Sequence, residues 1–135
     1  MRPVAWGIMG VMLGAGPLHA QASEILGTWR GTSICIKESW NSACNDEQVI
    51  YYVTHAPGKS DSVSVDAQKV VAGKPESMGI LTLGHDTTAK AWIGEWQNAR
   101  YQLLWSFQVN GKALTGTLVV LPSRQVARNI TARKD

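Results

Sequence analysis

The two cysteines, Cys35 and Cys44, are the side chains of this 135-residue chain best suited to covalent chemistry. Eight residues separate them, which is not the CxxC spacing of a redox or zinc motif. The sequence has no third cysteine, and no adjacent histidine completes a zinc site. We therefore expect a structural disulfide that stabilises the fold by about 2.5 to 3 kcal/mol, and we expect no metal or cofactor.

Histidines and carboxylates could carry acid–base catalysis, but their positions favour other roles. His55 continues the alternating face of a strand and is expected at its rim. Asp86, which follows His85, fits a turn in which its carboxylate accepts backbone hydrogen bonds. Asp46 and Glu47 are adjacent, so in a strand they point to opposite faces and cannot meet one substrate. Since the sequence also lacks a nucleophile elbow, an HExxH helix, a Walker loop and a dinucleotide fingerprint, it does not predict an enzyme.

Tryptophan is the residue type that points most directly to binding. Each buried tryptophan removes about 150 to 250 Å² from water, so it can build a small core or line a ligand site. Trp29 and Trp105 are in phase with apolar neighbours, which predicts core positions, and Trp92 and Trp96 share one strand face. Trp40 lies among polar residues between the cysteines, so it is the candidate for an exposed partner contact. Packing of Trp40 over the mouth of the barrel is still the favoured interpretation, and a partner or ligand contact is the alternative.

The elements that must position these residues are strands, because apolar residues recur with a period of two. The clearest segment, 101–109, places five apolar residues on one face: Tyr101, Leu103, Trp105, Phe107 and Val109. Asn110-Gly111 follows and predicts a type I′ turn, in which both central residues have positive φ. Residues 112–121 are therefore expected to return as the antiparallel partner.

Further strands are predicted at 26–36, 49–55, 62–71, 78–83, 90–97 and 124–132. No segment after residue 22 has a helical period over ten or more residues. The sequence therefore predicts an all-β domain of about eight consecutive antiparallel strands with one disulfide. Short sequential turns favour a small up-and-down β-barrel over a sandwich, because closure removes exposed strand edges.

The first 22 residues predict a secretory signal peptide. A basic start at Arg2 precedes an uncharged apolar run over residues 4–16, and Ala20-Gln21-Ala22 is a small-x-small cleavage site. Cleavage leaves Ser23 as the first residue, or Gln21 if it follows Ala20. The apolar run is too short to span a bilayer, as is every later one. Residues 23–135 are expected to form one domain, periplasmic or secreted, without a membrane span.

Charge does not favour nucleic acid as a partner. The net charge of the full sequence is +3, and loss of Arg2 with the leader leaves 12 basic and 10 acidic residues, a net charge of +2. Nucleic-acid-binding proteins concentrate basic residues with exposed aromatics on one face. Here the basic residues cluster only near the end of the chain, at Arg124, Arg128, Arg133 and Lys134. A solvated final strand is expected there, with an anion or lipid-headgroup patch as the alternative.

The start of the first strand, Gly27-Thr28-Trp29, resembles the Gly-x-Trp start of lipocalin-like barrels. In those barrels the tryptophan closes one end, and a basic residue from the last strand packs across its ring. The resemblance therefore implies that Trp29 closes this barrel, with Arg128 as its partner and Arg124 as the second choice.

The wider pattern is similar to a group of small exported bacterial proteins with such barrels. It comprises residues 27–35, then Cys44, and then the segment 46–52. This resemblance brings no known activity with it. Avidin-like barrels also begin with Gly-Thr-Trp and are rich in tryptophan, but Arg30-Gly31 stands where that family's biotin-binding residues would follow.

Two functions from different classes remain. The preferred one is binding of a small apolar or amphiphilic ligand at the barrel mouth, in a site lined by Tyr51, Val53, Trp92, Trp96 and Trp105. The alternative is a protein-interaction module, an inhibitor or envelope accessory, that contacts its partner through Trp40 in the Cys35–Cys44 loop. A hollow barrel favours the first, and a filled barrel favours the second.

Overall fold

The computed structural model describes residues 22–36, 44–59 and 61–135. These residues form eight antiparallel strands that close into a barrel in chain order, so the predicted all-β up-and-down barrel is confirmed. Residues 1–21 of the predicted signal peptide, which comprises residues 1–22, lie outside the described residues, as does the candidate contact residue Trp40. The strands are β1 (Gly27–Cys35), β2 (Glu47–His55), β3 (Ser62–Val71), β4 (Lys74–Asp86), β5 (Ala91–Gln97), β6 (Gln102–Asn110), β7 (Ala113–Leu121) and β8 (Gln125–Lys134).

The period-two pattern decides which side chains fill the barrel. Successive strand residues point to opposite faces, so the apolar members of each alternation turn inward and the polar members face solvent. The largest fully buried side chains include Trp29, Tyr51, Phe107, Leu83, Leu114, Ile130, Val49, Val63 and Val65. The predicted disulfide is also confirmed, since Cys35 at the end of β1 is bonded to Cys44 with 6.3 Å between the Cα atoms.

A short helical turn over residues 22–25 closes one end of the barrel, which we call the plugged end. The backbone N–H of Leu26 donates to the Ala22 carbonyl at 3.1 Å. The Trp29 indole Nε1–H donates to the Ile25 carbonyl at 2.8 Å, and both of these side chains are fully buried. The Gly-x-Trp tryptophan is thus fixed beneath its own N-terminal turn.

The cation that packs on Trp29 is Lys134, so the expectation of Arg128 is wrong. The Lys134 ammonium nitrogen lies 5.4 Å from the centroid of the Trp29 ring. In the antiparallel β1–β8 pair, Trp29 is opposite Lys134 and Cys35 is opposite Arg128. Arg128 comes six residues before Lys134, so the register places it at the other end of β1. Arg124 lies in the turn before β8 and cannot reach the ring either.

The β6–β7 turn also differs from its prediction. Asn110 pairs with Ala113, so the two turn residues are Gly111 and Lys112, and of these Gly111 has a positive φ, 63°. A glycine with positive φ at the first turn position is typical of type II′, so the type I′ prediction is wrong. The pattern of two positive φ values occurs instead at Ala72-Gly73, between β3 and β4. That turn starts β4 at Lys74, earlier than the predicted residue 78.

The barrel wall has a weak seam between β4 and β5. In the described chain these strands pair over three residue pairs, from Gly84 with Ile93 to Asp86 with Ala91, whereas β3 and β4 pair over ten. The pairing stops at Ile93, and at Gly94, the next residue, a Cβ would collide with the Thr82 carbonyl oxygen. Of β4, only Gly84 to Asp86 pair with β5, and the earlier part of the strand does not. The seam lies toward the end of the barrel opposite the plug, which we call the seam end.

Candidate functional site

A pocket of about 110 Å³ opens at the β4–β5 seam. Its lining comes from four neighbouring strands, β3 to β6, and is mostly apolar. The residues are Ala67, Met78, Gly79, Leu81, Trp96, Leu103 and Trp105. The pocket therefore offers an apolar group a partly enclosed place between the strands.

The seam itself creates the pocket. If the β4–β5 pairing continued in the same register, Leu81 would pair with Trp96. The two residues are not paired, and their side chains line the pocket. A register shift between β3 and β4 falls beside Met78, where the strand bulges. Gly79 follows with a φ of 117°, a conformation that favours glycine. The bulge and the missing pairs leave Met78 and Trp96 more than one-third exposed at the entrance.

An aromatic series connects the pocket to the core. Trp105 meets Phe107 edge to face, with ring centroids 6.0 Å apart. Phe107 in turn contacts Tyr51 with a centroid separation of 5.2 Å. Because Phe107 and Tyr51 are fully buried, the inner wall of the pocket rests on rigid packing.

The structure separates the five residues that the sequence grouped as a ligand site. Trp96 and Trp105 line the pocket. Trp92 and Val53 are each 3% exposed in the core and do not line this pocket. Trp92 shares the inward face with Trp96, but four strand residues span about 13 Å, which places it toward the plugged end. There its ring meets His85 edge to face at 4.9 Å.

Tyr51, the fifth residue of that group, lies inside the barrel and next to the pocket wall. It pairs with the pocket residue Ala67 across β2 and β3. Its side chain is fully buried, and its hydroxyl has no hydrogen-bond partner among the described residues. Burial, with a smaller contribution from the Glu47 carboxylate, raises the pKa of Tyr51 above its ordinary value, against an opposing effect of Arg128. The hydroxyl therefore stays neutral at physiological pH.

A charged cluster occupies the β8–β1–β2–β3 side of the seam end. Arg128 donates to the Ser33 carbonyl at 3.3 Å, to the Ser33 hydroxyl at 3.2 Å and to the Asn45 carbonyl at 3.1 Å. Its Nη1 also lies 3.5 Å from a Glu47 carboxylate oxygen, and the Lys69 ammonium is 4.0 Å from the other. The Arg128 side chain is 12% exposed and that of Lys69 37%, so Arg128 is largely shielded from water and Lys69 is not.

The β-sheet register directs these charges inward. Glu47 pairs with Ser33, which is buried, and Lys69 pairs with Val49, which is in the core. Residues paired across strands share a face, so Glu47 and Lys69 extend the inward alternation of β2 and β3. Sequence reasoning did not name Lys69, and it considered Glu47 only as a catalytic carboxylate. The available signal was a charged residue in phase with a buried face at the end of a strand.

The other candidate catalytic groups have structural contacts. The Asp86 carboxylate accepts hydrogen bonds from the backbone N–H groups of Thr88 and Ala89, which is the predicted turn role. The Asp46 carboxylate accepts the backbone N–H of Cys35. Over the described ranges, no three His, Cys, Asp or Glu side chains lie close enough together to hold a metal ion. No helix in these ranges is long and apolar enough to cross a membrane.

Comparison with known proteins supports the fold. No protein-family model matches the chain, and no curated protein is similar to it in sequence. A crystal structure of a mutant of the fluorescent protein UnaG is similar in three dimensions, with a TM-score of 0.50 and 11% sequence identity. The similarity covers 83% of this chain and 96% of that one. At this identity the likeness establishes a common barrel architecture.

Proposed function

We propose that this protein is a binding protein, not an enzyme, and that it binds a small apolar or amphiphilic ligand at the β4–β5 seam. The observation that carries the proposal is the apolar pocket lined by Trp96 and Trp105. Trp96 lies at its entrance and is 39% exposed. Aromatic side chains around a concave apolar site provide contact area, and a few polar groups nearby set orientation.

The size of the pocket limits the ligand. Pockets for drug-sized ligands measure about 300 to 1,000 Å³, whereas a cavity of about 150 Å³ holds benzene. At about 110 Å³, this pocket is smaller than that cavity and takes a short alkyl segment or part of one ring. The remainder of a larger ligand must lie outside the pocket, so the protein is not proposed to enclose a whole lipid.

We also propose that the protein works in the periplasm or after secretion. The Cys35–Cys44 disulfide supports this, because such bonds persist in oxidising compartments. The leader-like residues 1–22 support it as well. Mass spectrometry of the exported protein tests this, with a new terminus at Ser23 or Gln21 expected and an intact Met1 as the contrary result.

Titration with the neutral dye N-phenyl-1-naphthylamine tests ligand binding. We expect a saturable change in dye fluorescence with one site per chain and a micromolar Kd, equivalent to about −8 kcal/mol. Trp96→Ala removes one pocket wall and should weaken binding about tenfold or more. The matched control is Ile34→Ala, since Ile34 on β1 is another exposed apolar side chain, 44% accessible, but does not line the pocket.

Two results would contradict ligand binding at the seam. One is the absence of saturable dye binding in protein that has the circular dichroism spectrum of a folded β domain. The other is equal affinity of the Trp96→Ala and Ile34→Ala variants. Failure of dye binding, together with an envelope protein captured by the wild type and lost with Trp40→Leu, would instead support the interaction module.

A further inference from the structure

The outer wall of the barrel has an open depression of about 470 Å³ over β7, β8 and β1. Its lining includes Arg30, Thr32, Thr115, Thr131 and Arg133. These five residues are exposed and alternate along their strands with more buried ones, so their side chains lie on the outer face. Smaller depressions over β6–β7 and over β1–β3 share Thr115, Arg30 and Thr32 with it. The three together form one band, which we call the outer groove.

Glycines in the strands beneath the outer groove account for its concave shape. Gly31 on β1 and Gly116 on β7 face inward, since they pair with the buried residues Ala132 and Ile130 on β8. A Cβ at Gly31 would collide with the Thr131 carbonyl oxygen, so β1 and β8 approach closely there. Glycine within a strand marks a bend or a close approach of backbones. The wall therefore bends inward here and leaves a depression outside.

Two arginines stand side by side in the outer groove. Arg30 on β1 pairs directly with Arg133 on β8, and like charges in such positions repel each other. Asp135 accepts a hydrogen bond from the Arg30 Nε at 3.0 Å, yet the Arg30 side chain is 54% exposed. Within the described ranges Arg133 forms no salt bridge. One aspartate thus offsets one of two arginines, and a carboxylate from a ligand would offset the other, in the bidentate geometry that guanidinium groups favour.

A row of hydroxyl and amide side chains runs beside the arginines. Thr131 pairs with Thr115 on one side and with Thr32 on the other, and the Thr32 and Thr131 hydroxyl oxygens are 3.3 Å apart. Gln108 and Gln48 extend this row to β6 and β2. With neighbouring strands about 4.8 Å apart, the row is about 19 Å long, and about 7 Å along the strands separates it from the arginines. Each of its side chains both donates and accepts hydrogen bonds.

These features fit an acidic polysaccharide better than other polyanions. Sugar hydroxyls both donate and accept hydrogen bonds, as the row does. A bound peptide strand would need free backbone groups, whereas those of β7, β8 and β1 are paired with one another along the outer groove. Nucleic-acid sites combine many basic residues with exposed aromatic side chains. The residues that line the outer groove include two arginines and no aromatic side chain.

We propose that the outer groove binds an acidic polysaccharide. A carboxylate of this chain lies between Arg30 and Arg133, and its hydroxyls exchange hydrogen bonds with the row from Gln108 to Gln48. The site is on the outside of the barrel and shares no lining residue with the seam pocket. It is therefore a second site, independent of the proposed function.

Isothermal titration calorimetry with three short oligomers of equal length tests the chemistry of the ligand. Hexagalacturonate has carboxylates and sugar hydroxyls, maltohexaose has the hydroxyls alone, and hexaglutamate has carboxylates on a peptide. At about 0.15 M salt, which screens long-range attraction, we expect hexagalacturonate to bind about tenfold or more tightly than the other two. Absence of hexagalacturonate binding would overturn the proposal. Equal affinity for hexaglutamate would overturn the assignment to a polysaccharide, and equal affinity for maltohexaose would overturn the role of the arginines.

Two variants of equal net charge locate the site. Arg133→Gln should weaken hexagalacturonate binding about tenfold, because it removes one of the two guanidinium groups that hold the carboxylate. Arg124→Gln is the matched control, since Arg124 is an exposed arginine in the turn before β8 and does not line the outer groove. Its affinity should equal that of the wild type. Equal losses in the two variants would show attraction by net charge alone and would overturn the site.

Removal of one hydroxyl tests the row. Thr131→Val keeps the shape of the side chain and should weaken hexagalacturonate binding about threefold. Thr54→Val, at an exposed position of β2 outside the outer groove, should leave the affinity unchanged. Equal affinities of these two variants would overturn the role of the hydroxyl row. Dye binding at the seam should be the same in Arg133→Gln, Thr131→Val and the wild type, so failure of this site and failure of the proposed function are measured separately.

Discussion

The plugged end and the seam end of this barrel use the same residue type for opposite purposes. At the plugged end, Trp29 is fully buried and its indole N–H is bonded to the Ile25 carbonyl. At the seam end, Trp96 is 39% exposed and borders a pocket. Both occupy inward positions of their strands. The difference teaches that completed strand pairing and a covering turn make a tryptophan part of the core, whereas interrupted pairing leaves it available for binding.

The two ends also treat charge differently. Lys134 lies over the Trp29 ring at the plugged end, where it also donates to the Glu24 carbonyl at 3.2 Å. Arg128 lies at the seam end in a network with Glu47 and Lys69. The first arrangement covers a closed core. The second gathers charge beside the buried Tyr51 hydroxyl, which has no partner in the described part of the chain.

The sharpest test of this contrast is truncation of one tryptophan at each end. Trp29→Ala should lower the free energy of unfolding by about 3 to 5 kcal/mol, because it leaves a cavity in the core. Trp96→Ala should lower it by less than about 1 kcal/mol, because part of that side chain is already in water. Urea denaturation measures both, and losses of equal size would contradict the distinction between the ends.

A smaller effect is expected from the cation at the plugged end. Lys134→Met keeps much of the side-chain volume but removes the charge over Trp29, so stability should fall by about 0.5 to 2 kcal/mol. Arg124→Met is the control, because Arg124 is an exposed cation in the turn before β8. Thermal melts of the two variants compare them. If both changed stability equally, the Lys134 contact with Trp29 would have no specific role.

The smallest expected effect has the opposite sign and belongs to the seam end. Tyr51→Phe removes a buried hydroxyl that has no partner, so the variant should be more stable than the wild type by about 1 kcal/mol. Tyr52→Phe should change stability by less than about 0.5 kcal/mol. Urea denaturation without ligand measures both. A loss of stability in Tyr51→Phe would show that the hydroxyl already contributes to the fold.

The same variant alters the dependence of stability on pH. The pKa of Tyr51 is raised in the fold, so above about pH 10 the unfolded chain releases this proton while the folded chain retains it. The wild type therefore loses stability from this group as pH rises above that value. Tyr51→Phe lacks this loss, so the stability difference between variant and wild type should grow between pH 9 and about pH 11 in denaturation experiments. A constant difference would contradict burial of the hydroxyl.

The period of two was sufficient to predict eight strands, with a late start for β4, and the inward faces of β2 and β6. It placed Trp92, Trp96 and Trp105 on inward faces, and the export-like leader with two cysteines predicted the disulfide. Alternation reports the face of a residue, however, and not its height along the barrel axis. That is why Trp92 was grouped with Trp96 although the two lie about 13 Å apart along β5.

What the sequence by itself determined is therefore the all-β class, the strand order and the Cys35–Cys44 bond, because these depend on local periodicity and on residue types. Only the tertiary structure decided which cation reaches Trp29, where the β4–β5 pairing stops and which charges gather beside Tyr51. Each of these depends on the register between strands distant in the chain, such as β1 with β8. Register is set by closure of the whole barrel, since every strand must pair on both sides at once.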